Sequence, residues 1–369
     1  MMMEKLLLHD FQQYLVPHGR TWVDTFNNQY CFNWSASGVE FTFTGTCLSA
    51  LFCADNGSEL EGAPPYNENT PKRDTWPIIA VFLDNMPQPV RTFQVSGPLE
   101  SWLLYRSDDV QTHRFRLMKL TENVKGFLSI REFYAEGEFE QTLIPTRKNL
   151  EIIGDSITCG YGNESLDPAR GFYSDEENVW MAYSMRTGIA LNLNTSLISI
   201  SGITAIHHEG WPAEYVMEDI YAYTDMPGQI KSGHYTKSTC DHWDFKAHPN
   251  DVVVINLGTN DAFASLFSPD PDDEKNFAGK YLDFLRMVRG CNGPETIIVC
   301  ALGSMNYYLY DRILEAVTQY CKETKDPNVY TFKFRAMHPM DGIGASGHPS
   351  MKTHQKMAAE LTEFLKPLL

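Results

Sequence analysis

From about residue 148 to the end of the chain, short apolar segments alternate with longer segments of helical periodicity. Strands are predicted at 150–154, 196–200, 252–258, 296–303 and 329–334. Helices are predicted at 179–191, 276–289 and 308–323, followed by a closing amphipathic helix that carries Met357, Leu361, Phe364, Leu365 and Leu368 on one stripe. Strands that alternate with helices are typical of parallel βαβ units, so we predict a doubly wound, three-layer α/β domain. In such sheets the chemistry lies beyond the carboxyl ends of the strands.

The first 145 residues have a different pattern, in which short β-rich segments are separated by turns. Val39, Phe41 and Phe43 alternate with polar residues, and 77–84, 114–119 and 126–133 are further strand-like segments. Short strands at such spacing predict a β-sandwich or jelly roll. We therefore predict two domains, an all-β domain over 1–145 that could contact carbohydrate and an α/β domain over 148–369.

The net charge excludes some classes of partner. With 30 Lys and Arg against 47 Asp and Glu, the formal charge is −17, which argues against binding to nucleic acid or to anionic lipid. No apolar run approaches the 18 or so residues of a membrane helix, and the first residues lack the apolar core of a secretory signal. Neutral substrates such as sugars remain compatible with this composition. A homo-oligomer is compatible with it as well.

The cysteines and histidines do not form a metal-binding pattern. The eight cysteines are scattered, without a CxxC pair, and Cys300 lies in an apolar strand-like segment where a buried free thiol is expected. Neither HExxH nor a His/Cys cluster with ligand spacing occurs, so no metal or other cofactor is predicted. Reduced cysteines and the absence of a recognisable signal predict a cytoplasmic protein.

A serine stands directly after the first predicted parallel strand. The strand ends at Gly154, and Asp155 and Ser156 follow at once. This position allows Ser156 either to attack a carbonyl, given a base within hydrogen-bond reach, or to cap the next helix. The surrounding residues do not form G-x-S-x-G, which argues against the nucleophile elbow of α/β-hydrolases.

Four separated segments resemble the blocks of the SGNH (GDSL-type) hydrolases, in the order of that family. They are Gly154-Asp155-Ser156, Ser201-Gly202, Gly258-Thr259-Asn260-Asp261 and Gly347-His348-Pro349-Ser350. The resemblance covers about residues 148–369. Together with a preceding β-rich region, the stretches at 154–162 and 341–349 resemble carbohydrate esterase family 2, which implies removal of acetyl groups from polysaccharides such as xylan.

The resemblance implies a role for each block. Ser156 would be the nucleophile and His348 the base that takes its proton and returns it to the leaving alcohol. The backbone N–H groups of Ser156 and Gly202 and the side-chain amide of Asn260 would stabilise the oxyanion. Gly202 as a turn glycine and Asn260 as a strand-end residue are the structural alternatives. Asp155 and Asp261 are expected to brace their loops.

The sequence departs from the family at the third member of the triad. Many SGNH enzymes carry an Asp three residues before the histidine, and here that position is Ala345. Asp341, across a glycine-rich loop, is a candidate for that member. We predict instead a dyad of Ser156 and His348, in which a backbone carbonyl of 342–347 accepts the Nδ1–H of His348 and Asp341 is structural.

Several other polar and aromatic residues lie near these blocks in sequence. Trp211 and Tyr307 each follow a strand end, and each either stacks on a sugar ring or packs as an ordinary aromatic. The histidines at 207–208 are expected to be an exposed pair, His354 to face solvent, and the acidic run 270–274 to be a solvated loop without calcium.

The sequence predicts a serine esterase that removes acetyl groups from acetylated sugars or xylan-derived oligosaccharides through an acyl-enzyme. Two alternatives stay open. One is a lipase or thioesterase of the same fold, and the other is a non-catalytic carbohydrate-binding protein.

Overall fold

The computed structural model describes residues 3–63, 65–84, 86–165 and 167–369. The chain divides into two compact units, Met1–Thr146 with Asp225–Cys240, and Arg147–Thr224 with Asp241–Leu369. The segment Asp225–Cys240 therefore packs with the β-rich unit, whereas the sequence analysis had assigned it to the α/β domain.

The N-terminal part of the chain is built almost entirely from strands. In chain order they are β1 (Glu4–Leu7), the short helix α1 (Leu8–Phe11), β2 (Val16–His18), β3 (Trp22–Asp24), β4 (Gln29–Cys31), β5 (Gly38–Ala54), β6 (Gly57–Leu60), β7 (Lys72–Thr75), β8 (Ile78–Leu83), β9 (Arg91–Gln94), β10 (Leu99–Lys119) and β11 (Leu128–Glu140). The predicted segments at 77–84, 114–119 and 126–133 correspond to β8, β10 and β11.

The long strands β5, β10 and β11 form the centre of an antiparallel sheet. Within the described residues this sheet has nine strands, with the order β3-β4-β11-β5-β10-β8-β9, while β1 pairs with β11 and β2 with β5. Val39, Phe41 and Phe43 are fully buried, as their alternation predicts, and the ring of Phe41 stacks on that of Phe115 at 5.3 Å. The first unit is thus a β-rich domain with an aromatic core; its jelly-roll topology stays a prediction.

The segment Asp225–Cys240 joins this β-rich unit through polar and aromatic contacts. The indole N–H of Trp22 donates to the Asp225 carboxylate at 3.3 Å, and the ring of Tyr235 lies edge-on to Trp22 at 5.6 Å. The ring of His234 stacks on Phe26 at 4.7 Å. Because burial raises the pKa of Asp225 to about 6, hydrogen bonds such as that from Trp22 are needed to hold its charged form.

The second unit alternates strands and helices. In chain order its elements, with the one helix that packs in the first unit, are β12 (Asn149–Gly154), α2 (Ser156–Cys159), α3 (Tyr183–Leu191), β13 (Asn194–Ser199), α4 (Met217–Ile220), α5 (Met226–Lys231, in the first unit), β14 (Val252–Asn256), α6 (Thr259–Phe267), α7 (Asp273–Asn292), β15 (Ile297–Leu302), α8 (Tyr310–Thr324), β16 (Val329–Lys333) and α9 (Met351–Leu365). Each predicted strand and helix of this region matches one of these elements, with ends displaced by a few residues.

All strands of the second sheet are parallel, in the order β13-β12-β14-β15-β16. Gly154, at the end of β12, pairs in register with Ser199 of β13 and Asn256 of β14. The strand order reverses around β12, which makes its carboxyl end the topological switch point where doubly wound sheets bind ligands. The residues that follow β12, β13 and β14 therefore meet at one edge.

The helices of this unit pack in pairs, α3 with α9 and α7 with α8. The strands β14 and β15 are almost fully buried, which explains their continuous apolar sequence. All eight cysteines, each within the described part of the chain, are free, and Cys300 is buried in β15 as expected. None of the helices in the described ranges is long and apolar enough to cross a membrane.

Candidate active site

Ser156 begins the short helix α2 at the switch point of the parallel sheet. The carboxylate of Asp155 caps this helix by accepting the backbone N–H of Ile157 at 3.0 Å. The capping position is thus taken by Asp155, which leaves the hydroxyl of Ser156 free for another partner. Ser156 is only 6% exposed, so its side chain is buried at the end of β12.

His348 supplies that partner. Its Nε2 lies 2.9 Å from the Oγ of Ser156, and its Nδ1 lies 3.2 Å from the backbone carbonyl of Ala345. Because a carbonyl oxygen only accepts, Nδ1 must carry the ring proton and Nε2 is left with a lone pair toward the serine hydroxyl. The arrangement orients the imidazole as a base for Ser156.

Backbone hydrogen bonds join the loop that carries His348 to the loop that follows Ser156. The N–H of Ala345 donates to the carbonyl of Gly162 at 3.1 Å, and the N–H of Met351 donates to that of Asn163 at 3.1 Å. These bonds fix the carbonyl of Ala345 relative to α2. Ser156 and His348 are therefore held on connected loops although 192 residues separate them.

An aromatic pair that the sequence analysis did not single out lies against the imidazole. The ring of Tyr161 is 4.2 Å from that of His348, and Phe172 stacks on the other side of Tyr161 at 3.8 Å. Burial lowers the pKa of His348 to about 4, although its hydrogen bonds to the backbone of Ala345 and Ser346 act in the opposite direction. Tyr161 lies within the 154–162 stretch, but no local pattern indicates that its ring meets a histidine from the far end of the chain.

Asn260 and Gly202 lie around the nucleophile as the register predicts. The side-chain amide of Asn260 donates to the carbonyl of Ile203 at 3.0 Å and to the carboxylate of Asp155 at 3.4 Å. It thus contacts the chain neighbours of both Gly202 and Ser156. To reach an oxyanion it must exchange one of these bonds, of which the one to Asp155 is the longer and weaker.

Gly202 has a positive φ of 80°, and a Cβ built there would meet nothing within 4 Å. The glycine is therefore required by its backbone conformation rather than by crowding. The space beside the Cα of Gly202 is therefore open, and a substrate that approaches the N–H of Gly202 needs such space.

The structure holds Asp341 away from the imidazole. Its carboxylate binds Lys352 at 3.0 Å and Lys356 at 2.5 Å, both on α9, and these lysines hold the pKa of Asp341 below its usual value. The partner of His348 Nδ1 is the carbonyl of Ala345, and the side chain of Ala345 is fully buried.

The two aromatic residues singled out for sugar binding differ in their surroundings. Trp211 is half-buried in the loop after β13. Tyr307 is committed to the fold, because its hydroxyl donates to the carbonyl of Phe334 at 2.9 Å and Lys333 lies over its ring at 4.6 Å. Trp211 is therefore the better placed of the two for a ligand.

Two expectations about histidines were wrong. His354 does not face solvent: it is fully buried in α9, its Nδ1 accepts the backbone N–H of Tyr183 at 3.2 Å, and burial lowers its pKa to about 3. His207 is exposed as expected, but the side chain of His208 is completely buried.

The acidic run 270–274 is only partly a solvated loop. Asp273 is buried, and its Oδ2 lies 2.6 Å from the Nδ1 of His208, whose Nε2 lies 3.1 Å from the Oδ1 of Asp261. These are residue types that also bind metals. Here both ring nitrogens face carboxylate oxygens at hydrogen-bond distance, which is the geometry of an ion pair. Asp261 braces its loop as expected, since it accepts the backbone N–H of Ala205 at 3.0 Å.

Comparison with known proteins identifies the family. The family model described as GDSL-like Lipase/Acylhydrolase matches residues 150–361, more than half of the chain. This chain belongs to the GDSL-like lipase/acylhydrolase family. The four blocks around Ser156, Gly202, Asn260 and His348 all lie within the matched residues of this GDSL-like hydrolase.

The relatives of this GDSL-like hydrolase that match over most of its length are esterases by name. The chain is 31% identical to "Cellulase/esterase CelE" of Acetivibrio thermocellus over 90% of its own length and 37% of the length of that relative. It is 25% identical to an "Acetylxylan esterase / glucomannan deacetylase" of Cellvibrio japonicus, covering 90% of this chain and 86% of the relative. The chain thus spans little more than a third of the first relative.

A solved structure of a family two carbohydrate esterase from Clostridium thermocellum, in complex with cellohexaose, is similar over both units. It matches with a TM-score of 0.78 and 29% identity, covering 96% of this chain and 98% of that one. An acetyl xylan esterase from the rumen bacterium Butyrivibrio proteoclasticus matches with a TM-score of 0.81 at 21% identity, covering 100% and 99%, which shows the shared fold.

Proposed function

We propose that this protein is a serine carboxylic ester hydrolase that removes acetyl groups from acetylated sugars or xylan-derived oligosaccharides. The observation that carries the proposal is the 2.9 Å contact between Ser156 Oγ and His348 Nε2 at the switch point of a GDSL-like fold. The names of the relatives support an acetylated carbohydrate as the substrate.

In the first step, the Oγ of Ser156 attacks the acetyl carbonyl carbon while its proton moves to His348 Nε2. The imidazolium then donates both N–H groups, Nδ1–H to the carbonyl of Ala345 and Nε2–H to the sugar oxygen that leaves. This produces an acetyl-enzyme and a free sugar hydroxyl. Water, deprotonated by the same Nε2, releases acetate and restores Ser156.

Each tetrahedral intermediate places a negative charge on the former carbonyl oxygen. The backbone N–H groups of Ser156 and Gly202 and the amide of Asn260 are the donors that we assign to this charge. The contacts of Asn260 with Ile203 and Asp155 support the assignment, because they hold its amide beside both backbone donors. The Ser156–His348 dyad acts without a carboxylate, and the Ala345 carbonyl fixes the tautomer.

The lipase alternative has one observation in its favour. Helix α6, which begins at the Asn260 block, exposes Phe263 by 45%, Leu266 by 74% and Phe267 by 73%. Exposed apolar side chains beside an ester site could contact a long acyl chain. The half-buried Trp211, in contrast, suits the face of a sugar ring.

Ester hydrolysis with matched acyl chains tests the proposal. The purified protein and its Ser156→Ala variant are assayed on 4-nitrophenyl acetate, 4-nitrophenyl octanoate and acetylated xylan oligosaccharides. Release of acetate from the oligosaccharides by the wild type alone supports the proposal. Preference for octanoate supports the lipase, and binding of xylan without turnover of any ester supports the carbohydrate-binding alternative.

We also propose a cytoplasmic location and a jelly-roll topology for the first unit. Eight free cysteines support the location, since thiols persist in a reducing compartment. Fractionation of the source cells tests it. The long antiparallel strands β5, β10 and β11 support the topology, and an experimental structure tests it.

A further inference from the structure

His208 forms an enclosed ion pair with Asp261 and Asp273, which the Ser156–His348 dyad does not use. Its side chain and that of Asp261 have no exposed surface, and that of Asp273 is 1% exposed. The ring of Phe277 stacks on the imidazole at 6.3 Å. The three polar side chains come from three separate segments, the loop after β13, helix α6 and the start of helix α7.

The geometry requires two N–H donors on the ring. Nδ1 lies 2.6 Å from Asp273 and Nε2 lies 3.1 Å from Asp261. A neutral imidazole has one N–H, so one carboxylate would then face a lone pair at hydrogen-bond distance. With both protons in place, each carboxylate accepts a charge-assisted hydrogen bond.

Asp261 connects this ion pair to the candidate oxyanion hole. It directly follows Asn260 in α6, and it accepts the backbone N–H groups of Ala205 at 3.0 Å and Ile206 at 3.4 Å. Those residues belong to the loop that begins with Gly202, and Asn260 itself donates to Ile203 in the same loop. The Asp261 carboxylate thus connects the loop of Gly202 to the helix of Asn260, and His208 in turn binds this carboxylate.

We propose that His208, in its imidazolium form, is a positioning residue that sets the distance between the Gly202 loop and Asn260. The inference depends on the proposed esterase function, whose oxyanion it serves. His208 does not touch the reacting atoms. It places one positive charge between the unsolvated carboxylates of Asp261 and Asp273, while Lys280 supplies a second beside Asp273. The imidazolium thereby keeps Asp261 on the backbone N–H groups of the loop.

The proposal has a consequence for pH. Burial by itself lowers the pKa of His208, but the hydrogen bonds and charges of Asp261 and Asp273 outweigh it, so the net pKa lies above 6.5. The other charged group nearby is Lys280, whose Nζ lies 3.3 Å from Asp273. Because the raised pKa belongs to the folded state, the stabilising charge is present at low pH and is lost as the pH rises through that pKa.

The experiment compares two neighbouring histidines. We expect His208→Gln to lower kcat on 4-nitrophenyl acetate at least tenfold, with KM within about twofold, after normalisation to the titrated fraction of active Ser156. His207→Gln is the matched control, since His207 is exposed and pairs with Asp219 at 3.0 Å on the surface. Its kcat should stay within about twofold of wild type.

A double-mutant cycle with Asn260→Ala separates positioning from folding. If His208 acts through the oxyanion donors, His208→Gln should cost clearly less in the Asn260→Ala background than in wild type. Equal losses in both backgrounds would overturn the proposal, as would an unchanged kcat in the single variant. A wild type that hydrolyses no ester would instead overturn the proposed function, and this inference with it.

The wild-type enzyme provides a second test that does not require the variant to fold. Its kcat should decline at alkaline pH as the His208 imidazolium loses its proton, because the pKa of His208 is raised above its ordinary value. The decline should persist in His207→Gln. A kcat that stays flat from neutral to alkaline pH would contradict the role of the imidazolium.

Discussion

Ala345 and Gly162 lie so close together that a Cβ added at Gly162 would come within 2.4 Å of the Cβ of Ala345. Many SGNH enzymes carry an aspartate at the position of Ala345, whereas here the side chain of Ala345 is buried against the loop that follows Ser156. The backbone carbonyl of the same residue contacts the imidazole of His348. Ala345 therefore both limits the size of residue 162 and fixes the tautomer of His348.

We accordingly predict that Gly162→Ala lowers kcat at least tenfold while the protein stays folded. The added methyl group must push Ala345 away, and the φ of +55° at Gly162 disfavours any side chain. A displacement of about 1 Å in a catalytic group can cost about 10²-fold in rate. The control is Gly279→Ala in α7, where a Cβ meets nothing within 4 Å. Equal activity of the two variants would refute the steric argument.

Ser156→Ala should abolish ester hydrolysis and preserve the circular dichroism spectrum. Ser156 contributes one hydroxyl, bound to His348 at 2.9 Å, so little packing is lost with it. Ser165→Ala, in the following loop, is the control and should keep full activity. A Ser156→Ala variant with activity within tenfold of wild type would show that another group is the nucleophile.

Asn260→Ala should lower kcat by about 10²–10³, the usual cost of one lost oxyanion donor, with little change in KM. The oxyanion charge for which we propose Asn260 as a donor develops in the transition state, so ground-state binding should be spared. Steady-state kinetics on 4-nitrophenyl acetate measures both constants. A change confined to KM would indicate that Asn260 binds the sugar instead.

The acid limb of kcat/KM should have an apparent pKa of about 4. Nε2 must be unprotonated to accept the serine proton, and burial lowers the pKa of His348 to about 4. Activity should therefore be constant from neutral pH to about pH 5 and then fall tenfold per pH unit below the pKa. The measurement uses an ester that does not ionise in this range. A limb near 6.5 would contradict the effect of burial.

Asp341→Asn should change kcat less than tenfold, because Asp341 binds Lys352 and Lys356 rather than the imidazole. His348→Ala should cost several orders of magnitude. The comparison distinguishes a dyad from a triad, since neutralising a true triad acid costs about 10⁴-fold. A loss of that size for Asp341→Asn would make it the third member.

Much of the fold could be predicted because local sequence carries its signal. The apolar runs of β12, β14 and β15 are buried almost throughout, so their composition alone marks them as central parallel strands. The proximity of Ser156, Gly202 and Asn260 follows from the parallel register, since each residue comes shortly after the carboxyl end of a neighbouring strand.

The environment of individual polar side chains could not be predicted in the same way. The partners of His208 lie 53 and 65 residues further along, and nothing next to a histidine in sequence indicates which carboxylates will fold onto it. His354 lies in an amphipathic helix whose buried face is wider than its apolar stripe. Asp273 has an acidic neighbourhood, which suggests solvent, yet only this carboxylate of the run 270–274 is buried.

The segment Asp225–Cys240 packs on strands that are encoded some 200 residues earlier, as the bond between Trp22 and Asp225 illustrates. A recombination event near residue 146 would therefore deliver the β-rich unit without part of its own packing, and would leave the other fragment with a buried-type aspartate and aromatic rings exposed to water. Neither fragment would therefore keep all of its native packing when cut at that point.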